Sequence, residues 1–180
     1  MTDDDPTGVA RRPATPAGRG VEGRPVRQEV VGFWKRRYGL SPEVFEGYSF
    51  WEKGAGKVWA LAAAIPDRAP VEAVGIRLLR TRQEHWKPTT EACQRFGHHA
   101  RANVCTLRPA RARRFLRGER QPLARWEGDW GYLLVAHELA GAPAPIGVGL
   151  YLEGELRSCL LYTFDAADDM QCVDLGGRRI

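Results

Sequence analysis

The sequence contains few lysines and no long apolar segment. Only four of its 27 basic residues are lysines, and the others are arginines, which bind phosphate through a forked guanidinium. No apolar run is long enough to span a membrane, and the N-terminal residues MTDDDPTG do not have the pattern of a signal peptide. We therefore expect a soluble, cytoplasmic protein that does not associate with a membrane.

The cysteines, glycines and histidines form no motif for a cofactor or a metal ion. Cys93 and Cys105 have no C-x-x-C spacing, which argues against a zinc site and a disulfide framework. No G-x-G-x-x-G precedes a predicted helix, so a loop that binds S-adenosylmethionine is not indicated. His98 and His99 are adjacent and lack a suitably spaced carboxylate. We predict no cofactor, no metal ion and no catalytic residue.

Residues 159–180 have no helical or strand periodicity, and we interpret them as translated sequencing-library adapter. CLLYTFDAAD matches a translated transposon end with one base changed at Phe164, and CVDLGGRRI matches a translated flow-cell primer. We exclude this segment from the predicted fold and expect the genuine sequence to break off near Ser158. Without its four acids and two arginines, the net charge rises from +5 to +7.

Local signals divide the remaining chain into a tail and two folded parts. Residues 1–27 have few large apolar side chains, so we predict a disordered tail. Residues 28–80 predict a small α/β unit. In that unit a helix ends at Gly39, a short second helix begins at Ser41-Pro42, and two apolar runs flank a glycine-bearing turn before a last strand.

Residues 81–158 predict two short helices and several antiparallel strands. The first helix begins within Lys87-Pro88-Thr89-Thr90, with Thr89 or Thr90 as its cap and Gly97 as its end. An open helix start next to Lys87 would be an anion site. A strand and a second helix follow, and then two apolar runs, GYLLVAH and IGVGLYL. A loop over residues 140–145 separates these two runs. This spacing indicates a small, mostly antiparallel barrel.

The ordered segments KPTTEACQRFG, NVCTL, ARRFLRGE, GYLLV and PIGVGLYLEGELRS together resemble a PUA domain. The similarity is to ribosome-biogenesis proteins and to the RNA-binding module of rRNA 5-methylcytosine methyltransferases. The upstream segment RRYGLSPEVFEGYSFWEKGAGKVWA is similar to the small α/β domain that precedes such modules. As a whole, residues 28–158 resemble stand-alone haloarchaeal proteins labelled as tRNA/rRNA cytosine methylase-like.

This resemblance implies an α+β fold, with a pre-PUA unit over residues 28–80 and a PUA-like barrel over 81–158. It implies a non-catalytic protein that binds structured rRNA or tRNA and is accessory to RNA modification or ribosome assembly. RNA would lie across the first helix and the last strands of the barrel. The RNA contacts that it implies are Lys87, Thr89, Arg95, Gly147, Gly149 and Arg157.

The residues also leave other interpretations open. Arg113, Arg114 and Arg117 predict a second basic patch, although such arginines also occur on purely solvated surfaces. An exposed apolar patch of Phe45, Tyr48 and Trp51 would instead favour a subunit that docks on a methyltransferase or an assembly factor. A deep polar pocket would favour a methyltransferase-related enzyme. Trp86 could stack on a base or belong to the core, and we assign four other aromatic residues to the core: Trp34, Trp51, Trp59 and Tyr132.

Overall fold

The fold is α+β and consists of helices and two β-sheets. The structure, a computed structural model, describes residues 25–52, 56–62, 75–123 and 126–160. The chain divides into two compact units, which we call unit 1 (residues 1–102) and unit 2 (residues 103–180). Most of the predicted tail, most of the predicted glycine-bearing turn (residues 53–55), residues 63–74 and residues 161–180 lie outside the described part.

In the described part of unit 1 there are two α-helices and a four-stranded antiparallel sheet with the order β1-β2-β3-β4. A 3₁₀ turn over Pro42–Phe45 precedes the sheet, and another over Gly97–His99 follows the second helix. The elements are α1 Arg27–Tyr38, β1 Ser49–Glu52, β2 Lys57–Leu61, β3 Ile76–Arg80, β4 Lys87–Pro88 and α2 Thr90–Phe96.

Helix α1 confirms the predicted helix, and Gly39 ends it in the left-handed conformation with φ of 66°. The helix begins one residue earlier than predicted, because Arg27 belongs to the fold rather than to the tail. Its guanidinium donates hydrogen bonds of 2.8 Å to the Phe45 carbonyl and 2.6 Å to the Tyr48 carbonyl. Burial lowers the pKa of Arg27. The two hydrogen bonds fix the start of α1 to the segment before β1.

An aromatic cluster centred on Phe45 forms the core of unit 1. The Phe45 ring centroid lies 6.1 Å from that of Trp34, 5.8 Å from Phe50 and 5.1 Å from Phe96. Because Phe96 is on α2, this helix packs within unit 1. The boundary between the units therefore follows Ala102, whereas we predicted it after Arg80.

Among its described residues, unit 2 contains one α-helix on a curled five-stranded sheet. Strand β5 pairs with β7 in parallel, and the other pairs are antiparallel. The strand order is β5-β7-β8-β9-β6, and the sheet forms a half-barrel, which agrees with the predicted α+β class. The elements are β5 Val104–Leu107, α3 Pro109–Leu116, β6 Gln121–Pro122, β7 Gly131–Leu139, β8 Ala142–Leu152 and β9 Glu155–Ser158.

The hairpin between β7 and β8 is longer than predicted, and its turn is shorter. Leu139 pairs with Ala142, so Ala140 and Gly141 alone form the turn, with φ of 50° and 80°. Two prolines led us to predict a loop over residues 140–145. Pro143 and Pro145 are tolerated because residues 142–147 of β8 pair only with β7 among the described strands. The other edge of this part of β8 therefore needs no backbone N–H for a neighbouring strand.

After β9 the chain continues to pack within unit 2. The Cys159 amide donates to the Val148 carbonyl at 3.0 Å, and the Cys159 side chain is buried. Cys159 and Leu160 are the first residues of the segment that we interpret as adapter, and the rest of that segment lies outside the described residues. None of the helices in the described ranges is long and apolar enough to span a membrane.

The contact between Phe96 and Phe45 gives a test of the boundary between the units. We expect Phe96→Ala to lower the stability of unit 1 by about 3–5 kcal/mol, because it removes a buried ring from the aromatic cluster. Hydrogen–deuterium exchange should then accelerate in α1 and β3 and stay unchanged in β7. Leu139→Ala is the matched control, since Leu139 is 65% exposed. Faster exchange in β7 with α1 unchanged would show that α2 belongs to the second unit instead.

Candidate nucleic-acid interface

The residues implied or predicted as RNA contacts are divided between the two units. Lys87, Thr89 and Arg95 lie in unit 1, on β4 and at the two ends of α2. The remaining six lie in unit 2, on α3, β8 and β9, and they are Arg113, Arg114, Arg117, Gly147, Gly149 and Arg157. They therefore form two groups, one in each unit.

The start of α2 is capped by its own residues, so it is not the open anion site that we predicted. The Thr89 hydroxyl accepts a hydrogen bond from the Ala92 amide at 3.1 Å and donates one to the Arg77 carbonyl. The Thr89 amide donates to the Leu78 carbonyl at 3.1 Å. Since Thr89 is only 8% exposed, its polar groups hold α2 against β3 and are not directed at a ligand.

Lys87 is also largely withdrawn from solvent. It lies on β4 opposite Arg80 and is 9% exposed. A lysine with so little exposed surface is poorly placed to neutralise a phosphate on the surface of the protein. The structure therefore does not support Lys87 and Thr89 as exposed phosphate contacts.

Arg95 is exposed in the last turn of α2, and its guanidinium is held in place. Its Nε and Nη2 atoms donate to the Tyr48 hydroxyl at 3.2 and 3.0 Å. His98 and His99 follow, with ring centroids 3.9 Å apart. Burial, and then the nearby charges of His99 and Arg95, lower the pKa of His98. Within the described residues no group of three or more metal-binding side chains occurs, so this histidine pair has no further ligands there.

The most basic surface of the described chain is on α3. Residues 103–123 contain six arginines and one acid, Glu119, so this segment carries a net charge of +5. Without the segment that we interpret as adapter, the rest of the chain has 19 basic and 17 acidic residues. The segment around α3 thus carries five of the seven net positive charges of residues 1–158.

Five of the six arginines are directed outward, and we call them the α3 arginine surface: Arg108, Arg113, Arg114, Arg117 and Arg120. The Arg117 side chain is 73% exposed. The Arg113 side chain forms no hydrogen bond or ion pair within the described part of the chain. Only Arg114 is tightly paired, with its Nε 2.8 Å from Glu119 Oε2. Sequence reasoning had not predicted Arg108 and Arg120 as contacts, although a count of charges along the chain would have found them.

The opposite side of α3 is fixed to the sheet. Ala112 and Phe115 are buried there, and Arg111, the sixth arginine, anchors the helix to β6. Arg111 Nε donates to Gln121 Oε1 at 3.0 Å, and Gln121 Nε2 donates back to the Arg111 carbonyl at 3.1 Å. Since Gln121 is fully buried, these hydrogen bonds hold the helix in one orientation.

Gly147 and Gly149 face the core, and this contradicts their predicted role in a close approach of RNA to the backbone. A Cβ atom on Gly149 would lie 2.6 Å from Leu156 Cδ1 and 3.2 Å from Phe115 Cε2. A Cβ atom on Gly147 would meet Leu160 and would lie 3.5 Å from Phe115 Cε1. Gly149 therefore makes room for Leu156 and the Phe115 ring beneath α3, and Gly147 makes room for Leu160.

Arg157 contributes little charge to the surface. Its side chain is 17% exposed, and Nη2 lies 3.6 Å from Glu155 Oε2. Within unit 2, the α3 arginines are thus the predicted residues that remain available to an anionic ligand.

The features that would support the alternative interpretations are mostly buried. Phe45 and Trp51 lie in the interior and Tyr48 is half-buried, so these three do not form the exposed docking patch that we considered. The Trp86 ring centroid is 5.5 Å from that of Phe33, which places Trp86 in the packing of unit 1.

The aromatic and cysteine assignments can be compared directly with burial. Trp34, Trp51 and Tyr132 are buried as predicted, whereas Trp59 is only half-buried. Cys93 and Cys105 are buried, and burial raises the pKa of the Cys105 thiol despite the opposing charge of Arg111. The Cys105 thiol is therefore protonated at neutral pH.

Comparison with known proteins gives a match over the first part of the chain. Residues 1–75 match a family of unknown function, DUF7122. No curated protein matches the chain. The matched region ends within unit 1 and does not include the α3 arginine surface.

The packing of Phe115 against the β8 glycines gives a second test. Gly149→Ala should destabilise unit 2 by about 1–3 kcal/mol, because the added methyl group collides with Leu156 and Phe115. Adding Leu156→Val removes the Cδ1 atom that is closest to the new methyl group. We expect the double variant to lose less stability in chemical denaturation than the two single losses combined. Strictly additive losses would show that the glycine does not accommodate Leu156.

Proposed function

We propose that this protein binds RNA without catalysing a reaction, through the α3 arginine surface. In this proposal unit 2 is a PUA-type module, and the ligand is structured rRNA or tRNA. The protein would be accessory to RNA modification or to ribosome assembly. The observation that carries the proposal is the concentration of most of the net charge, +5 of +7 without the adapter segment, around the helix α3.

The type of charge favours phosphate as the ligand. Arginine presents several N–H groups in a rigid fork and can bind a phosphate through two of them. Arg113 and Arg117 are four residues apart, so they are neighbours on the solvent-facing side of α3. Glu119 lies 4.0 Å from Arg117 and closer to Arg114, so it compensates only part of this charge. An extended polyanion can contact several of these guanidinium groups at once.

The surroundings of α3 keep this surface ordered. Phe115 is buried against the sheet, and the Arg111–Gln121 hydrogen bonds fix the other side of the helix. The backbone of α3 therefore loses little freedom when a ligand binds. A preformed row of cations binds a polyanion more tightly than mobile cations do, because less ordering is required on binding.

The helix and sheet arrangement of unit 2 supports a PUA-type module. Its five strands curl into a half-barrel, and α3 packs on one side through Phe115. The buried cysteines add no nucleophile to the proposal, because burial raises the pKa of the Cys105 thiol and leaves Cys93 inaccessible.

Charge reversal on α3 tests the proposed function. We expect Arg113→Glu combined with Arg117→Glu to weaken binding to tRNA or to an rRNA fragment at least about ten-fold, because it replaces phosphate contacts with repulsion. Fluorescence anisotropy with labelled RNA at one fixed salt concentration provides the measurement.

The control is Lys35→Glu with Arg36→Glu, which makes the same change of charge at exposed positions of α1. It should change the affinity less than about three-fold, since only the general field of the protein is altered. Equal losses in the two double variants, with both proteins folded, would contradict a binding site on α3. The absence of RNA binding by the unaltered protein would contradict the function itself.

A further inference from the structure

The end of α2 carries a second concentration of basic side chains. Residues 92–102 contain Arg95, His98, His99 and Arg101 but neither aspartate nor glutamate. All four side chains are exposed, and none of them forms an ion pair with a carboxylate among the described residues. Arg95, His98 and His99 lie within about one helical turn, and we call these three the α2 cationic cluster.

The backbone brings the two histidines together. Gly97–His99 form a 3₁₀ turn that continues α2, and the Gly97 amide donates to the Cys93 carbonyl. The ring centroids of His98 and His99 are 3.9 Å apart, with an interplanar angle of 42°. Arg95 precedes His98 by three residues, which places both on the same side of the helical segment. His98 thus has an imidazole beside it and a guanidinium one turn before it.

A hydroxyl group holds the Arg95 guanidinium in a fixed position. The Nε and Nη2 atoms of Arg95 donate to the Tyr48 hydroxyl at 3.2 and 3.0 Å. The Tyr48 ring packs edge-on against Phe96, with the ring centroids 5.3 Å apart. The hydroxyl accepts hydrogen bonds without compensating the positive charge. Since Arg95 Nη1 forms no hydrogen bond within the described part of the chain, it can donate to a ligand.

The charges that act on His98 are positive. Burial, and then the charges of His99 and Arg95, lower the pKa of His98 from its ordinary value. A carboxylate close to the ring would have the opposite effect, because it would stabilise the protonated imidazole. The surroundings of His98 thus lack an anion that would favour its protonation.

The elements around the cluster supply mainly cations. Their other charged residues are three acids, Glu43, Glu46 and Glu91, and six bases, Arg27, Lys35, Arg36 and Arg37 on α1 and Arg77 and Arg80 on β3. None of the three acids forms an ion pair within the described residues, and none counters the lowered pKa of His98. The positive charge of the cluster is therefore not balanced by a neighbouring element.

The helix dipole does not balance this charge either. The C-terminus of a helix carries the equivalent of about half a negative charge, which favours cations there. Arg95 alone supplies a full positive charge in the last turn of α2. Each proton that His98 or His99 binds adds positive charge to that of Arg95. An anion placed against the cluster would remove the resulting repulsion.

We infer that the α2 cationic cluster binds a phosphate group of the RNA backbone, and that this contact strengthens as the pH falls. Arg95 donates to the phosphate through Nη1, and the two imidazoles donate through ring N–H groups. Because the three donors come from different residues, a tetrahedral phosphate can satisfy more of them than a planar carboxylate can. This inference rests on the proposed RNA-binding function and adds a phosphate site in unit 1 that responds to pH.

The direction of the pH dependence follows from the charge of the ligand. A phosphate beside His98 favours the protonated imidazole, so the pKa of His98 is higher in the complex than in the protein alone. Binding therefore takes up a proton, and the affinity rises as the pH falls between these two values. A difference of about one pKa unit corresponds to about ten-fold tighter binding below both values.

The affinity of the full chain for labelled tRNA, measured by fluorescence anisotropy at about pH 8 and about pH 5.5, tests the inference. Histidine side chains titrate in this range, whereas ordinary aspartates and glutamates keep their charge. The ionic strength is the same at both pH values. We expect the unaltered protein to bind at least about five-fold more tightly at the lower pH.

Three variants locate this dependence. His98→Gln combined with His99→Gln should reduce the difference between the two pH values to less than about two-fold. The control is His85→Gln, at a histidine with a 52% exposed side chain outside the cluster, and it should behave like the unaltered protein. Arg95→Gln should weaken binding at both pH values about three-fold, since it removes a phosphate contact. Thermal unfolding followed by circular dichroism shows whether each variant is folded.

Nuclear magnetic resonance of the His98 imidazole distinguishes RNA from inorganic phosphate as the source of the anion. We expect tRNA to raise the pKa of His98 more than inorganic phosphate does at the same ionic strength, because the RNA is also held by α3. A rise with inorganic phosphate and none with tRNA would assign the site to small phosphate compounds and overturn the inference.

Two further outcomes would contradict the inference. The unaltered protein could bind tRNA equally at both pH values, or the double histidine variant could retain the full pH dependence. In either case the charge reversal on α3 can still abolish tRNA binding, which would leave the proposed function intact. Absence of tRNA binding at both pH values would instead contradict the proposed function and, with it, the assignment of this site to RNA.

Discussion

The packing of Phe115 against β8 is the contact on which the proposed interface depends. Gly149 provides space for this ring, because a Cβ atom there would lie 3.2 Å from Phe115 Cε2 and 2.6 Å from Leu156 Cδ1. Once the ring is buried, the periodicity of the helix directs Arg113 and Arg117 outward. The hydrogen bonds between Arg111 and Gln121 then fix the remaining side of the helix. A hydrophobic contact thus determines where the positive charge is presented.

This arrangement has an electrostatic cost that a polyanion would remove. Arginines that lie close together on one helix repel one another, and Glu119 relieves this repulsion mainly at Arg114. Elsewhere in residues 1–158 the basic and acidic residues nearly balance, at 19 and 17. The potential that attracts a polyanion therefore originates mainly around α3. This asymmetry distinguishes a localised binding surface from the diffuse positive charge of an arginine-rich composition.

Local signals in the sequence predicted individual helices and strands well. The predictions that failed concern contacts between residues that are distant in the sequence. Gly39 correctly marked the end of a helix, and one of the two predicted caps, Thr89, is the cap in the structure, because these effects depend on a few adjacent residues. The assignment of α2 to unit 1 depends on Phe96 meeting Phe45, about fifty residues away, which no local pattern records. The burial of Lys87 similarly depends on the pairing of β4 with β3, so its charge alone wrongly suggested an exposed site.

The salt dependence of RNA binding tests the central claim most directly, because it counts phosphate contacts rather than affinity alone. The affinity of the unaltered chain and of the Arg113→Ala plus Arg117→Ala variant would be measured from low to physiological salt. If these arginines neutralise phosphates, the slope of log affinity against log salt should become shallower by about one to two in the variant. An unchanged slope, with both proteins folded and bound to the same RNA, would show that the α3 arginines do not contact the RNA backbone.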